Sequence, residues 1–139
     1  VANFIFGLPE DDIESMQETL RLAKELNCEY SNFYVAMAYP GSQLYRDAVK
    51  EGMRLPQDWL GYAQFSTQTT PLPTRSLSSE DILRFRDRAF NEYHSSARYQ
   101  NMIKEKFGME TIEHIRQMLR HKINRKILTS FVNSRKNER

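Results

Sequence analysis

The chain has 139 residues, 40% hydrophobic and 27% charged, with a formal charge of only +2, too small to imply a polyanionic partner by itself. No apolar run approaches the roughly 20 residues that span a bilayer, so membrane insertion is not expected. A single cysteine, Cys28, excludes an intramolecular disulfide and any all-cysteine metal or cluster site made from this chain alone. Without a secretory leader pattern, that usage predicts a reducing, cytoplasmic setting.

Residues 1–8, VANFIFGL, are apolar with little alternation and read as a strand covered on both faces. The opening Val1 stands directly inside this run, which predicts an internal cut with preceding strands missing. Pro9 ends the strand, and Asp11 with Glu14 reads as the start of a helix whose stripe is Ile13, Met16, Leu20, Ala23 and Leu26. Asn27 and Cys28 close it. Residues 32–39, NFYVAMAY, form the second strand, so 1–39 is a βαβ unit with parallel strands. Pro40 and Gly41 turn the chain, Ser42 caps a short helix through Glu51, and Gly52 stops it.

The stretch 53–77 carries Pro56, Pro71 and Pro73 among Trp59, Tyr62 and Phe65 and reads as a long connection or lid. Ser78 and Asp81 form a capping box, with Leu77 and Ile82 as its hydrophobic staple. The helix they open carries Ile82, Phe85, Ala89 and Tyr93 on one face. Ser95 and Ser96 interrupt before a segment ending at Gly108, and a last helix is predicted over 111–128 with Ile112, Ile115, Leu119, Ile123 and Ile127 aligned. The remaining NSRKNER is polar and should fray. The fold class is α/β, two parallel strands followed by mostly helix. So small a parallel sheet should dimerise, swap elements or be marginally stable.

In parallel α/β proteins ligands gather beyond the carboxyl ends of the strands, which here are 7–11 and 37–42. Gly7 permits either close ligand approach or merely the turn. Seven acids against Arg21 and Lys24 make 10–29 acidic. The acids Glu10, Asp11 and Asp12 disfavour phosphate and suit a hydroxyl, amine or sulfonium guest, or else complement the helix dipole. Ser42 reads as a cap rather than a nucleophile, Cys28 as a small buried hydrophobe, and His94, His114 and His121 as helix residues without metal-ligand spacing. No catalytic acid/base pair is nominated. From Arg116 onward eight basic residues face one acid. Without an aromatic stacking ladder they read as a solvated helix face, and nucleic-acid binding is not expected.

The run NFIFGLPE, the acidic helix and the run NFYVAMAYPGSQLY resemble the later part of radical S-adenosylmethionine enzymes. They are most like the group with a cobalamin-binding domain that includes the anaerobic magnesium-protoporphyrin monomethyl ester cyclases. The family motif GxIxGxxE is matched by Ile5, Gly7 and Glu10, with Asn3 in place of its first glycine. The resemblance implies a fragment of a partial (β/α)6 TIM-like barrel. Residues 1–52 would be its last two strands, 53–77 the connection, and 78–139 a helical extension. It implies Ile5, Val35 and Ala36 near the adenine of S-adenosylmethionine, Gly7 and Glu10 shaping the strand exit, and Met37 at the site mouth. The intact enzyme would hold S-adenosylmethionine and a 4Fe-4S cluster, with cobalamin an inference at a further remove. The CxxxCxxC loop would precede this chain, so the fragment should bind none of these fully and be inactive alone. Its partners would be the missing half of the barrel and an unidentified small-molecule substrate. The competing reading is a small α/β binding or assembly module without redox chemistry.

Overall fold

A computed structural model of the chain describes residues 1–129, so the terminal NSRKNER lies outside the described residues. The elements in order are β1 (Ala2–Phe6), α1 (Ile13–Leu26), β2 (Ser31–Val35), α2 (Gln43–Lys50), α3 (Trp59–Tyr62), α4 (Ser79–Ser95) and α5 (Ala97–Arg120). β1 and β2 pair in parallel, with Ala2 opposite Ser31 and Phe6 opposite Val35. The result is a small α/β fold, a two-stranded parallel sheet followed by a helical region. Among the described residues no helix is long and apolar enough to cross a membrane.

Both strands are shorter than their apolar runs. At Gly7 the backbone turns to φ +81, and the Asp11 carboxylate accepts from the amides of Gly7 and Leu8, each at 2.9 Å. β1 therefore stops at Phe6, and β2 loses its ladder one residue after Val35, where the Ala36 amide makes the last bond, to the Phe6 carbonyl. Ala36, Met37 and Ala38 stay buried without being strand.

The sheet is covered on one face only, not on both. Phe4 and Phe6 are buried while Ile5 between them is 47% exposed, the alternation of a half-covered strand. On the covered face α1 contributes Met16, Leu20 and Ala23, and α4 contributes Phe85, Ala89 and Tyr93. Phe6 meets Phe85 edge-on at 5.0 Å and Phe33 meets Tyr93 at 5.3 Å. Such contacts contribute about 0.5–1.5 kcal/mol each beyond burial.

The cap of α1 is Asp12 rather than Asp11, and its reciprocal partner is Ser15 rather than Glu14. Asp11 is already committed to the strand-exit amides, so the next carboxylate takes the helix. Asn27 closes α1 in the left-handed conformation. The starts of α2 at Ser42 and of α4 at Ser78 with Asp81 follow the sequence signals. A short helix, α3, sits inside the stretch read as connection. α5 is kinked at Gly108, φ +82, and ends at Arg120 instead of running to 128. It ends because Arg125 is drawn into the interior, which no continuous helix carrying Ile123 and Ile127 on one face would allow. Residues 126–129 resume a helical turn.

His94 lies among Phe33, Phe90, Tyr93 and Tyr99, with Nδ1 2.8 Å from the Phe90 carbonyl. Burial holds its pKa below the ordinary 6.5, the Phe90 carbonyl opposing and Arg86 assisting. The unfolded chain then binds a proton that the folded chain refuses. Stability is full above pH 6.5 and is lost as pH falls from there toward the folded pKa. We expect the urea midpoint to drop between pH 7.5 and 5.5, and His94→Gln to flatten that slope. A slope unchanged in the variant would assign it to other groups.

Candidate functional site at the strand exits

The carboxyl ends of β1 and β2 open toward one end of the fold, where the loop 7–12, the loop 36–42 and the 53–77 stretch converge. Gly7 is fixed there by packing as well as by φ, since a Cβ at this position would stand 2.7 Å from Ile82 Cγ2 of α4. The amides of Gly7 and Leu8 are not open to a ligand, because both are taken by Asp11, whose second oxygen accepts from Ser15 Oγ at 3.0 Å.

Glu10 projects outward and pairs with Arg75 at 2.8 Å, both strongly exposed. Gly7 and Glu10 border a cleft of about 320 Å³ against α2 and the 72–75 segment. Its floor is Leu44, Ala48 and Leu72, and Asp47 and Glu51 stand on its rim. The other residues singled out from the sequence do not meet in this cleft. Val35 and Met37 turn into the helical side, in a cluster with Tyr62, Ile82 and Leu83. Ile5 lies on the uncovered sheet face, and Ala36, next to Val35, is buried beyond the end of the ladder.

Sequence reasoning missed the uncovered face as a unit. It carries Asn3, Ile5, Asn32 and Tyr34, with Asn32 Nδ2 donating to Asn3 Oδ1 at 3.0 Å and Tyr34 meeting Phe65 edge-on at 6.4 Å. The signal was available in the two-residue period of each strand, but aromatic residues on both faces concealed it. Also missed was the device that holds the 53–77 stretch beside β2. Gln64 both donates to the Val35 carbonyl, 2.9 Å, and accepts from the Val35 amide, 3.0 Å, as a neighbouring strand would. Arg86 Nε donates to the Phe33 carbonyl at 2.8 Å and its guanidinium lies 5.1 Å from the Phe65 ring centre. Burial pushes the Arg86 pKa down and the Asp87 carboxylate opposes that shift.

Arg125 locks this arrangement. It is 1% exposed, donates to the carbonyls of Gln64 and Ser66 and to Thr69 Oγ1, and pairs with both oxygens of Asp87. Arg125 is thereby withdrawn from the basic helix face, and Arg116 lies near Glu113 on the same helix.

A ligand or metal set is a separate matter. Among the described residues no three His, Cys, Asp or Glu side chains gather as a metal site. Cys28 lies in the α1–β2 connection, at the amino end of β2, where its carbonyl accepts from Tyr93 Oη at 2.7 Å. It is at the opposite end of the sheet from the strand exits. The residues present therefore do not fit a cluster held by this chain's own thiolates.

The fold defines a parallel βαβ unit with helices on one face and open strand exits. Among known proteins the chain is similar to an uncharacterized methyltransferase of Pyrococcus horikoshii, at 28% identity over 94 residues. That stretch is 68% of this chain and 20% of the relative, so the chain spans about a fifth of the protein it matches. No family model matches the chain, and no solved structure does.

Proposed function

We propose that this chain is the last part of a partial (β/α)6 barrel in a radical S-adenosylmethionine enzyme, supplying one wall of the cofactor pocket and part of the substrate side. The observation that carries this reading is the one-sided sheet. Two parallel strands are packed by α1 and α4 on one face, while the other face exposes Ile5 and the Asn3–Asn32 pair. A barrel strand has this division, helices outside and lumen inside. The distant methyltransferase supports it in a general way, since methyl transfer needs a methyl donor, and S-adenosylmethionine is the donor that the strand motifs imply.

In this arrangement Ile5 and Ala36 form the apolar wall beside the adenine, and Gly7 and Glu10 shape the exit. Val35 and Met37 support that wall from the helical side. The cluster, when present, supplies the electron that cleaves the sulfonium, and its three cysteines belong to chain outside these residues. Cobalamin would be held by a separate domain.

The isolated chain, incubated anaerobically with iron, sulfide and dithionite, should form no stoichiometric 4Fe-4S cluster and release no 5′-deoxyadenosine. One thiolate cannot supply the three protein ligands required. The polypeptide extended upstream through a CxxxCxxC loop should do both. An upstream reading frame without three such cysteines, or an extended protein that never cleaves S-adenosylmethionine, would overturn the proposal.

A further inference from the structure

The last peptide of β2 is held from both sides. Its N–H, from Ala36, donates to the Phe6 carbonyl of β1 at 2.8 Å. Its C=O, from Val35, points the other way and accepts from Gln64 Nε2 at 2.9 Å, while Gln64 Oε1 accepts from the Val35 N–H at 3.0 Å. A peptide unit is planar, so bonds at its two opposite ends fix its orientation as well as its place. Val35 offers one donor and one acceptor on the same edge. A primary carboxamide meets both at once, whereas a carboxylate can only accept and a thioether satisfies neither.

The side chain that supplies this outer pair of bonds is itself braced. Glutamine has enough rotamer freedom that two hydrogen bonds alone would not hold it in one pose. Here the Gln64 carbonyl accepts from buried Arg125 at 3.0 Å, and Arg125 is tied to Asp87 of α4. Two residues before Gln64, Tyr62 is buried in the cluster of Val35, Met37, Ile82 and Leu83, against which Ile127 also packs. Two segments, one ahead of α4 and one after α5, thus converge behind Val35.

We propose, on the reading of the strand exits as an S-adenosylmethionine pocket, that Gln64 is a positioning residue for that pocket. It sets the plane of the Val35–Ala36 peptide and so the wall that this peptide contributes at the β2 exit. It acts through the β2 main chain, without contact to the cofactor. The stretch 53–77 is then a brace behind the pocket and not a lid over it, and the segment after α5 takes part through Arg125.

Anaerobic calorimetric titration of S-adenosylmethionine into the polypeptide extended upstream through its CxxxCxxC loop tests this role. Gln64→Met keeps the length of the side chain and loses both bonds. It should raise the S-adenosylmethionine Kd about tenfold while iron and sulfide content stay at the parent level. Ile103→Val, a buried change in α5 that lowers stability without touching this network, should leave the Kd unchanged. Amide exchange separates positioning from general loosening. The Ala36 amide keeps its own partner, Phe6, in Gln64→Met, yet should exchange about tenfold faster relative to the Ala2 amide at the far end of the same ladder. Should Gln64→Met misfold, Gln64→Asn, whose shorter amide cannot reach both Val35 groups, carries the same expectations. A parent that binds no S-adenosylmethionine would sink the enzyme reading and this role with it. A parent that binds, with a Kd unchanged in the Gln64 variant, a Kd raised equally by Ile103→Val, or an Ala36 amide that exchanges no faster, would overturn this role alone.

Discussion

Arg125→Ala should lower the unfolding free energy by about 3 kcal/mol or more, the largest loss we expect from any single side chain. The guanidinium is fully enclosed and makes bonds of 2.8–3.0 Å to Gln64, Ser66 and Thr69, as well as the pair with Asp87. Truncation leaves the Gln64 carbonyl without a donor, at about 1–3 kcal/mol for an unpaired buried acceptor, and strips one bond each from the Ser66 carbonyl and the Thr69 hydroxyl, which keep their bond to each other. Asp87 keeps Arg86 at 2.8 Å, so the loss is smaller than that of an isolated buried ion pair. Arg125→Lys should recover less than half, because one ammonium cannot reach acceptors arranged for a planar fork. Urea denaturation measures the total, and amide exchange at Thr70 reports whether the 53–77 stretch loosens first. A midpoint unchanged in the alanine variant would show that the latch holds nothing.

Gly7→Ala should cost about 2–4 kcal/mol by two separable effects. At φ +81 an L side chain is strained by about 1–2 kcal/mol. The new methyl also stands 2.7 Å from Ile82 Cγ2, an overpacking of about 1–3 kcal/mol. Ile82→Leu removes that branch methyl from Cβ, so the double variant should regain the steric share and keep the backbone share. A coupling energy of about 1 kcal/mol in the four-variant cycle is the expected result. Strict additivity would mean that Ile82 yields freely and only the backbone conformation restricts the site. Either variant addresses how the strand exit is held in place, whatever ligand it serves.

The glycine shows how much was legible. Gly7 and Pro9 marked the turn from the sequence, because few residue types tolerate that backbone. What the turn serves was not visible. The preference for positive φ is local, whereas the contact with Ile82 joins residues 75 positions apart. The same division runs through the acids. Asp11 and Asp12 announced a helix start, yet neighbouring carboxylates are equivalent until a strand end offers two free amides to one of them.

The sequence by itself determined the elements whose signals are local. These are the parallel βαβ unit, the caps at Ser42 and Ser78, and the break at Gly108, all settled by periodicity, capping chemistry and glycine. Only the tertiary structure decided which sheet face stays open, since Phe4 and Ile5, or Phe33 and Tyr34, are equally fit for burial when read as a string. Only it decided that Arg125 enters the interior and ends α5 early. A guanidinium is buried when a carboxylate and several carbonyls from distant segments converge on it, and that convergence has no local sequence signature.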